Sequence, residues 1–136
     1  KTRIYEIHSS IFLGFRLNSN DNFLQKWFAM SDIACELSAI PKGEIENHKE
    51  NSRVVFGAIR RVRELPDGYA FEMPADTIEH CAAFIARERL CCPFFEFGLV
   101  VKADQGPLLL KLSGRDGVKD YIEESVLPML DVPVEE

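Results

Sequence analysis

The sequence lacks the features that would place it in several large functional classes. It contains no run of about 20 apolar residues, so we expect no membrane-spanning helix and no membrane partner. It has no HExxH, no glycine-rich phosphate loop, no spaced pair of CxxC motifs and no Ser-His-Asp order of the kind that hydrolases use. The net charge is -6, which disfavours nucleic acid as a partner because an acidic surface repels phosphate.

Cysteine is present in small number, at Cys35, Cys81, Cys91 and Cys92. A disulfide framework is disfavoured because two of the four are adjacent and no secretory signal is visible. The chain has 136 residues, of which 46% are hydrophobic, so one domain can bury a core without covalent cross-links. These observations predict reduced thiols, a cytoplasmic location and a single domain over residues 1–136.

Two segments of the chain share one predicted order of elements. The segment over 60–65 runs into a turn at Pro66-Asp67-Gly68, where the glycine would supply a positive φ. A strand over 69–73 follows, and then a helix opened by a capping box of Asp76 and Glu79. A turn over 104–107 then separates strands over 95–102 and 108–112, and a helix begins at Asp116. The pattern predicts an α+β fold in which two tandem ββα units form an antiparallel sheet with helices on one face.

An N-terminal helical region is expected before these two units. Apolar residues recur at helical spacing over 22–38, which predicts a helix there, and residues 1–29 form an N-terminal extension. The charged stretch over 42–52 is typical of an exposed helix, while Val54–Ile59 fits a helix or a strand equally well. The tail after Pro128 is expected to be extended.

Chemistry is most concentrated at the end of the helix predicted to begin near Asp76. Pro93 should stop this helix near Cys91 or Cys92, which places two sulfurs together with Glu88 one turn earlier. Thiolates are ligands for Zn²⁺ and other thiophilic ions, and Cys35 could supply a third sulfur if its helix packs nearby. Cys81 lies about 15 Å away along a continuous helix, too far to join.

The predicted metal ligands are therefore Cys35, Glu88, Cys91 and Cys92, with Zn²⁺ or another thiophilic ion as the cofactor. Two alternatives remain open. The cysteines are common core residues, which fits a structural protein or homo-oligomeric scaffold with buried thiols. Cys91 or Cys92 could also act as a redox or nucleophilic thiol in an enzyme. Of the histidines, His48 lies in a charged stretch and His80 beside Cys81, and both are expected to be exposed to solvent.

Three segments carry a resemblance to known proteins: Ala34-Cys35-Glu36-Leu37-Ser38, Leu65-Pro66-Asp67-Gly68-Tyr69 and Glu88-Arg89-Leu90-Cys91-Cys92-Pro93-Phe94. With them, the region 34–122 resembles a family of small uncharacterised bacterial proteins that carry a Glu-Arg-x-Cys-Cys-Pro-Phe motif. The resemblance implies an association with heavy-metal handling. It points to the same four residues as the reasoning from chemistry.

Overall fold

The computed structural model describes residues 33–136 and has an α+β fold. Within this range the chain forms three α-helices and a five-stranded sheet. The helices are α1 (Ile45–Ala58), α2 (Ile78–Cys91) and α3 (Val118–Ser125), and the strands are β1 (Arg61–Leu65), β2 (Gly68–Met73), β3 (Glu96–Val101), β4 (Leu108–Ser113) and β5 (Val134–Glu135). Short 3-10 turns occupy Leu37–Ala39, Lys42–Glu44, Ala75–Thr77 and Leu127–Met129.

The sheet has the strand order β3-β4-β2-β1-β5 and is mixed. The strands β1 to β4 pair antiparallel, as predicted, and β2 and β4 lie side by side at the centre. The prediction of a wholly antiparallel sheet is wrong, because β5 pairs in parallel with β1 through Val62↔Val134 and Arg63↔Glu135. The C-terminal tail, predicted as merely extended, is therefore part of the sheet.

One face of the sheet shares a hydrophobic core with the helices. Val62, Phe71 and Leu110 lie in register across β1, β2 and β4, and all three are fully buried. Alternate residues of a strand point to opposite faces, so this row defines the face that is removed from water. The same core includes Phe84 of α2 and Ile122 of α3, which fixes both helices against the sheet.

The first helix of the described range is not the exposed helix that the charged stretch predicts. It runs from Ile45 to Ala58 and so takes in most of the stretch over 42–52 and most of the undecided segment Val54–Ile59. The 3-10 turn Lys42–Glu44 precedes it. His48, Ser52, Val55 and Phe56 are buried, and they recur at the spacing of one helical face. Phe56 meets Phe84 of α2 edge to face, with 5.4 Å between ring centroids. The helix α1 therefore packs against α2 as part of the core.

The predicted helix over 22–38 lies largely outside the described residues. Its described part, 33–38, is not α-helical and contains only the start of the 3-10 turn Leu37–Ala39. The expectations for the extension over 1–29 also fall outside the described range. The capping box is a further correction, because α2 follows the 3-10 turn Ala75–Thr77 and Thr77 is its N-cap residue, with no side-chain cap hydrogen bond.

No helix within residues 33–136 has the length and apolar character required to cross a membrane.

Gly68 is required for close approach between strands and not for a positive φ. A β-carbon at this position would lie 2.0 Å from the backbone oxygen of Leu112 and 2.7 Å from Cα of Ser113 on the neighbouring strand. Gly43, by contrast, has no atom within 4 Å of where its β-carbon would be. The two glycines therefore form a matched pair for substitution.

We expect Gly68→Ala to lower the free energy of unfolding by about 1–3 kcal/mol, because β2 and β4 must move apart to admit the methyl group. The control Gly43→Ala should stay within about 0.5 kcal/mol of the parent. Urea unfolding followed by circular dichroism measures both. Equal stability of the two variants would contradict the strand contact described for Gly68.

Candidate metal centre

The C-terminal end of α2 places three of the candidate residues. The helix ends at Cys91, as predicted, and Pro93 follows, which cannot donate a backbone hydrogen bond. The amide of Cys92 donates to the carbonyl of Glu88 at 2.7 Å and closes the last turn. Glu88, Cys91 and Cys92 are all buried. Glu88 and Cys91 lie three residues apart, so both side chains lie on the inward face of the helix.

Cys35 reaches this helix end through a backbone contact of its neighbour. The amide of Glu36 donates a hydrogen bond of 2.8 Å to the carbonyl of Cys91. Carbonyls in the last turn of a helix have no partner within the helix, so an adjacent segment can bind there. The prediction that Cys35 lies on a helix is wrong, because the residue is in an irregular segment before the turn Leu37–Ala39. That segment nevertheless brings its sulfur to the other two.

The three sulfurs lie close to the spacing of ligands that share one ion. Sγ of Cys91 lies 3.7 Å from Sγ of Cys92, and the sulfurs of Cys35, Cys91 and Cys92 all lie within 4.8 Å of one another. Sulfurs bound at about 2.3 Å to one ion are roughly 3.8 Å apart in tetrahedral and roughly 4.0 Å apart in trigonal geometry. A disulfide would need about 2.05 Å, and all four cysteines are free. We call this set the three-sulfur cluster.

A second set of donors adjoins the first and shares Cys91 with it. The donor atoms of His48, Glu88 and Cys91 also lie within 4.8 Å of one another. Nε2 of His48 is 2.8 Å from Oε1 of Glu88, and the thiol of Cys91 donates to the same carboxylate oxygen at 3.5 Å. The ring of His48 stacks on Phe84 with centroids 5.8 Å apart. We call these three residues the histidine–glutamate set.

His48 belongs to the site although it is not among the ligands predicted from the sequence, and the prediction that it is exposed to solvent is wrong. The residue is fully buried on α1. The signal was available in the spacing, because His48, Ser52, Val55, Phe56 and Ile59 recur at intervals of a helical face, and all five are buried. The abundance of charged residues between them concealed this pattern. Among the described residues, His80 lies at the surface, as predicted, and its ring contacts Asn51.

Hydrogen bonds among the three thiols shift their pKa values. Hydrogen bonds from Cys91 and Cys92 lower the pKa of the Cys35 thiol, while the bond to Cys35 raises the pKa of Cys91. Burial raises the pKa of Cys92. The cluster therefore favours a single negative charge on Cys35 that two neighbouring thiols stabilise.

Burial lowers the pKa of His48, but hydrogen bonds to Cys91 and Glu88 outweigh that effect and raise the pKa to about 9. A protonated His48 beside a carboxylate is a buried ion pair. Such a pair is stable only when both partners remain, because each charge alone is poorly solvated in the core.

The structure brings together all four predicted ligands, but they do not all belong to the same donor set. Cys35, Cys91 and Cys92 form the three-sulfur cluster, whereas Glu88 bonds to His48 and accepts a hydrogen bond from Cys91. Cys81 is fully buried, and it belongs to neither donor set within the described part of the chain. Its exclusion agrees with the distance argument made from the sequence.

Comparison of the chain with models of protein families, with curated proteins and with solved structures gives no match. The resemblance to the bacterial family with the Glu-Arg-x-Cys-Cys-Pro-Phe motif therefore stays a prediction.

We expect His48→Ala to lower the free energy of unfolding by about 3–5 kcal/mol, because Glu88 would be left as a buried charge without its partner. The double variant His48→Ala/Glu88→Ala should be less destabilised than the sum of the two single variants, since the two residues act as a pair. Urea unfolding of all four proteins gives the coupling energy. Strict additivity would show that the 2.8 Å contact contributes nothing.

Proposed function

We propose that this protein binds a thiophilic metal ion, Zn²⁺ or another soft cation, through Cys35, Cys91 and Cys92, and that it acts in metal handling or resistance in the cytoplasm. One observation carries the proposal. Three sulfurs from segments more than fifty positions apart in sequence lie within 4.8 Å of one another without forming a disulfide. Packing in a core favours small apolar side chains but does not require that all three be thiols.

The chemistry of the donors favours a soft ion over Mg²⁺ or Ca²⁺. Thiolates select Zn²⁺, Cu(I) and similar cations, whereas hard divalent ions prefer carboxylate and carbonyl oxygens. Sulfur binds these ions as the thiolate, so loading would release protons from thiols that are largely protonated in the free cluster. The lowered pKa of Cys35 makes its thiolate available to a cation in the cluster. In this arrangement Glu88 is a supporting residue that holds Cys91 in place by a hydrogen bond.

The organisation of the fold and the resemblance extend this proposal. We interpret β1-β2-α2 and β3-β4-α3 as the two predicted ββα units, with the metal centre at the end of the helix of the first unit. Membership of the family with the Glu-Arg-x-Cys-Cys-Pro-Phe motif would explain why Glu88 and the paired cysteines occur together.

Substitution of each clustered cysteine by serine should abolish high-affinity binding. We expect the reduced parent to bind one Zn²⁺ or Cd²⁺ per chain. Cys35→Ser, Cys91→Ser and Cys92→Ser should each weaken binding by more than the roughly 10–100-fold that loss of a residue supporting a ligand costs. Competition against a chromophoric chelator measures the affinity, and elemental analysis gives the stoichiometry.

The matched control is Cys81→Ala, which removes a fully buried thiol outside both donor sets and should leave the affinity unchanged. If the reduced parent binds neither ion, the metal proposal fails, and the alternative of a structural scaffold with buried cysteines is favoured. If Cys81→Ala weakens binding as much as the serine variants do, the loss reflects damage to the fold.

A second candidate is a thiol-based redox function, because Cys35 has a lowered pKa and lies beside two further thiols. A thiolate attacks or forms disulfides more readily than a thiol. Mild oxidation of the metal-free protein with diamide should then link Cys35 to Cys91 or Cys92, as peptide mass mapping would reveal. Loading with Zn²⁺ beforehand should suppress this disulfide. Oxidation that proceeds equally with and without Zn²⁺ would separate the redox chemistry from the metal site.

A further inference from the structure

A polar groove runs over the surface between α1 and α2 and ends at the candidate centre. It has a volume of about 250 Å³, and its lining residues are Glu44, Asn47, His48, Glu50, Asn51, Ala83 and Arg87. Every side chain in this lining except Ala83 is polar or charged. His48 differs from the other lining residues because it borders the groove but is fully removed from solvent. His48 therefore lies at the inner side of the groove, behind its solvent-exposed surface.

His48 also belongs to the donor sets described above. Its Nε2 contacts Oε1 of Glu88 at 2.8 Å, and its donor atom lies within 4.8 Å of the sulfur of Cys91. Cys35, Cys91 and Cys92 are all buried, and none of them lines this groove. A cation that moved from this groove toward the sulfurs would therefore meet His48 and Glu88 first and then Cys91.

We propose that the groove between α1 and α2 is the access route for the metal ion and that the histidine–glutamate set is its first binding site. From there the ion passes to the three-sulfur cluster through Cys91, which both sets share. This inference rests on the proposed function and adds to it a path and a role for His48. The ligand class is a divalent soft cation, which accepts imidazole nitrogen as well as sulfur.

The transfer is a ligand exchange in which no atom is oxidised or reduced. The ion first replaces the proton that His48 holds toward Glu88, and that proton leaves to water. Bonds from the ion to His48 and Glu88 then break as bonds to the sulfurs of Cys35 and Cys92 form, while the bond to Cys91 is kept. Any proton still held on these three sulfurs is released as the thiolates bind. His48 and Glu88 finally restore their hydrogen bond by taking up one proton from water.

The charges along the groove suit a cation more than an anion. Two carboxylates, those of Glu44 and Glu50, face one guanidinium, that of Arg87, among the lining residues. Arg87 forms an ion pair with Glu44, which leaves Glu50 as the excess charge of the lining. Glu50 itself forms an ion pair with Arg53. The groove therefore attracts a cation only modestly, so that a cation can move through it without being held there. Glu88 lies beyond the lining, where its carboxylate contacts His48.

The first test obstructs the groove without touching any donor. Ala83 lies on α2 and lines the groove, while Ala82 beside it is exposed and does not. Leucine is accepted in helices nearly as well as alanine, so Ala83→Leu and Ala82→Leu differ mainly in where the side chain points. Stopped-flow mixing with Cd²⁺ follows the thiolate charge-transfer absorbance during binding, and excess chelator follows release.

We expect Ala83→Leu to slow Cd²⁺ association by about tenfold or more, within the one to three decades over which association rates vary among variants of one site. Release should slow by the same factor, because an obstruction on a path affects both directions equally and leaves the equilibrium affinity unchanged. Ala82→Leu should match the parent in all three quantities. Parental rates in Ala83→Leu would overturn the access route.

The second test removes the imidazole and keeps a donor for Glu88. His48→Gln should slow association, because an amide is a poor ligand for soft cations, yet the final thiolate absorbance should equal that of the parent. Unchanged association in His48→Gln would overturn the role of a first binding site. Loss of the final absorbance would instead show that His48 is a permanent ligand. A parent that shows no Cd²⁺ absorbance at all refutes the proposed function itself, and this inference with it.

Discussion

The candidate centre depends on the hydrogen bond between the amide of Glu36 and the carbonyl of Cys91. This single backbone contact joins an irregular segment to the end of α2. It supplies a partner for a carbonyl that the helix leaves without one, and it fixes the main chain next to Cys35. The sulfur of Cys35 has no helix or strand of its own to position it. Its approach to Cys91 and Cys92 therefore follows from the way this helix ends.

The buried polar groups around that contact are an unusual choice for a domain of this size. A carboxylate, an imidazole and three thiols occupy space that aliphatic side chains could fill. Replacing a buried ion pair by well-packed apolar residues is often neutral or stabilising. The pair of His48 and Glu88 is thus not needed to hold α1 against α2, where Phe56 and Phe84 already supply apolar contact. Stability therefore does not explain why these polar residues are buried, whereas the proposed metal binding would explain it.

Much of the fold could be predicted from local patterns, and the remainder depends on contacts between distant residues. The turn after Leu65 and the end of α2 before Pro93 follow from the conformational limits of proline, whereas Gly68 is needed for close approach between strands. The strand β5 could not be predicted, because Val134 and Glu135 are a strand only through pairing with β1. The same distinction holds for the site. The motif around Cys91 is local and could be predicted, but the contact of His48 with Glu88 joins residues forty positions apart and could not.

The way in which the sulfurs of Cys91 and Cys92 come together determines how a mutation could separate them. Side chains of adjacent residues in a continuous helix diverge by roughly 100°, so two neighbouring thiols do not ordinarily meet. Here they do, because the helix stops between them and Cys92 adopts a non-helical backbone. The two sulfurs therefore come together at the point where the regular helix ends. An added residue that carried α2 one step further would scatter the sulfurs while every cysteine remained in the chain.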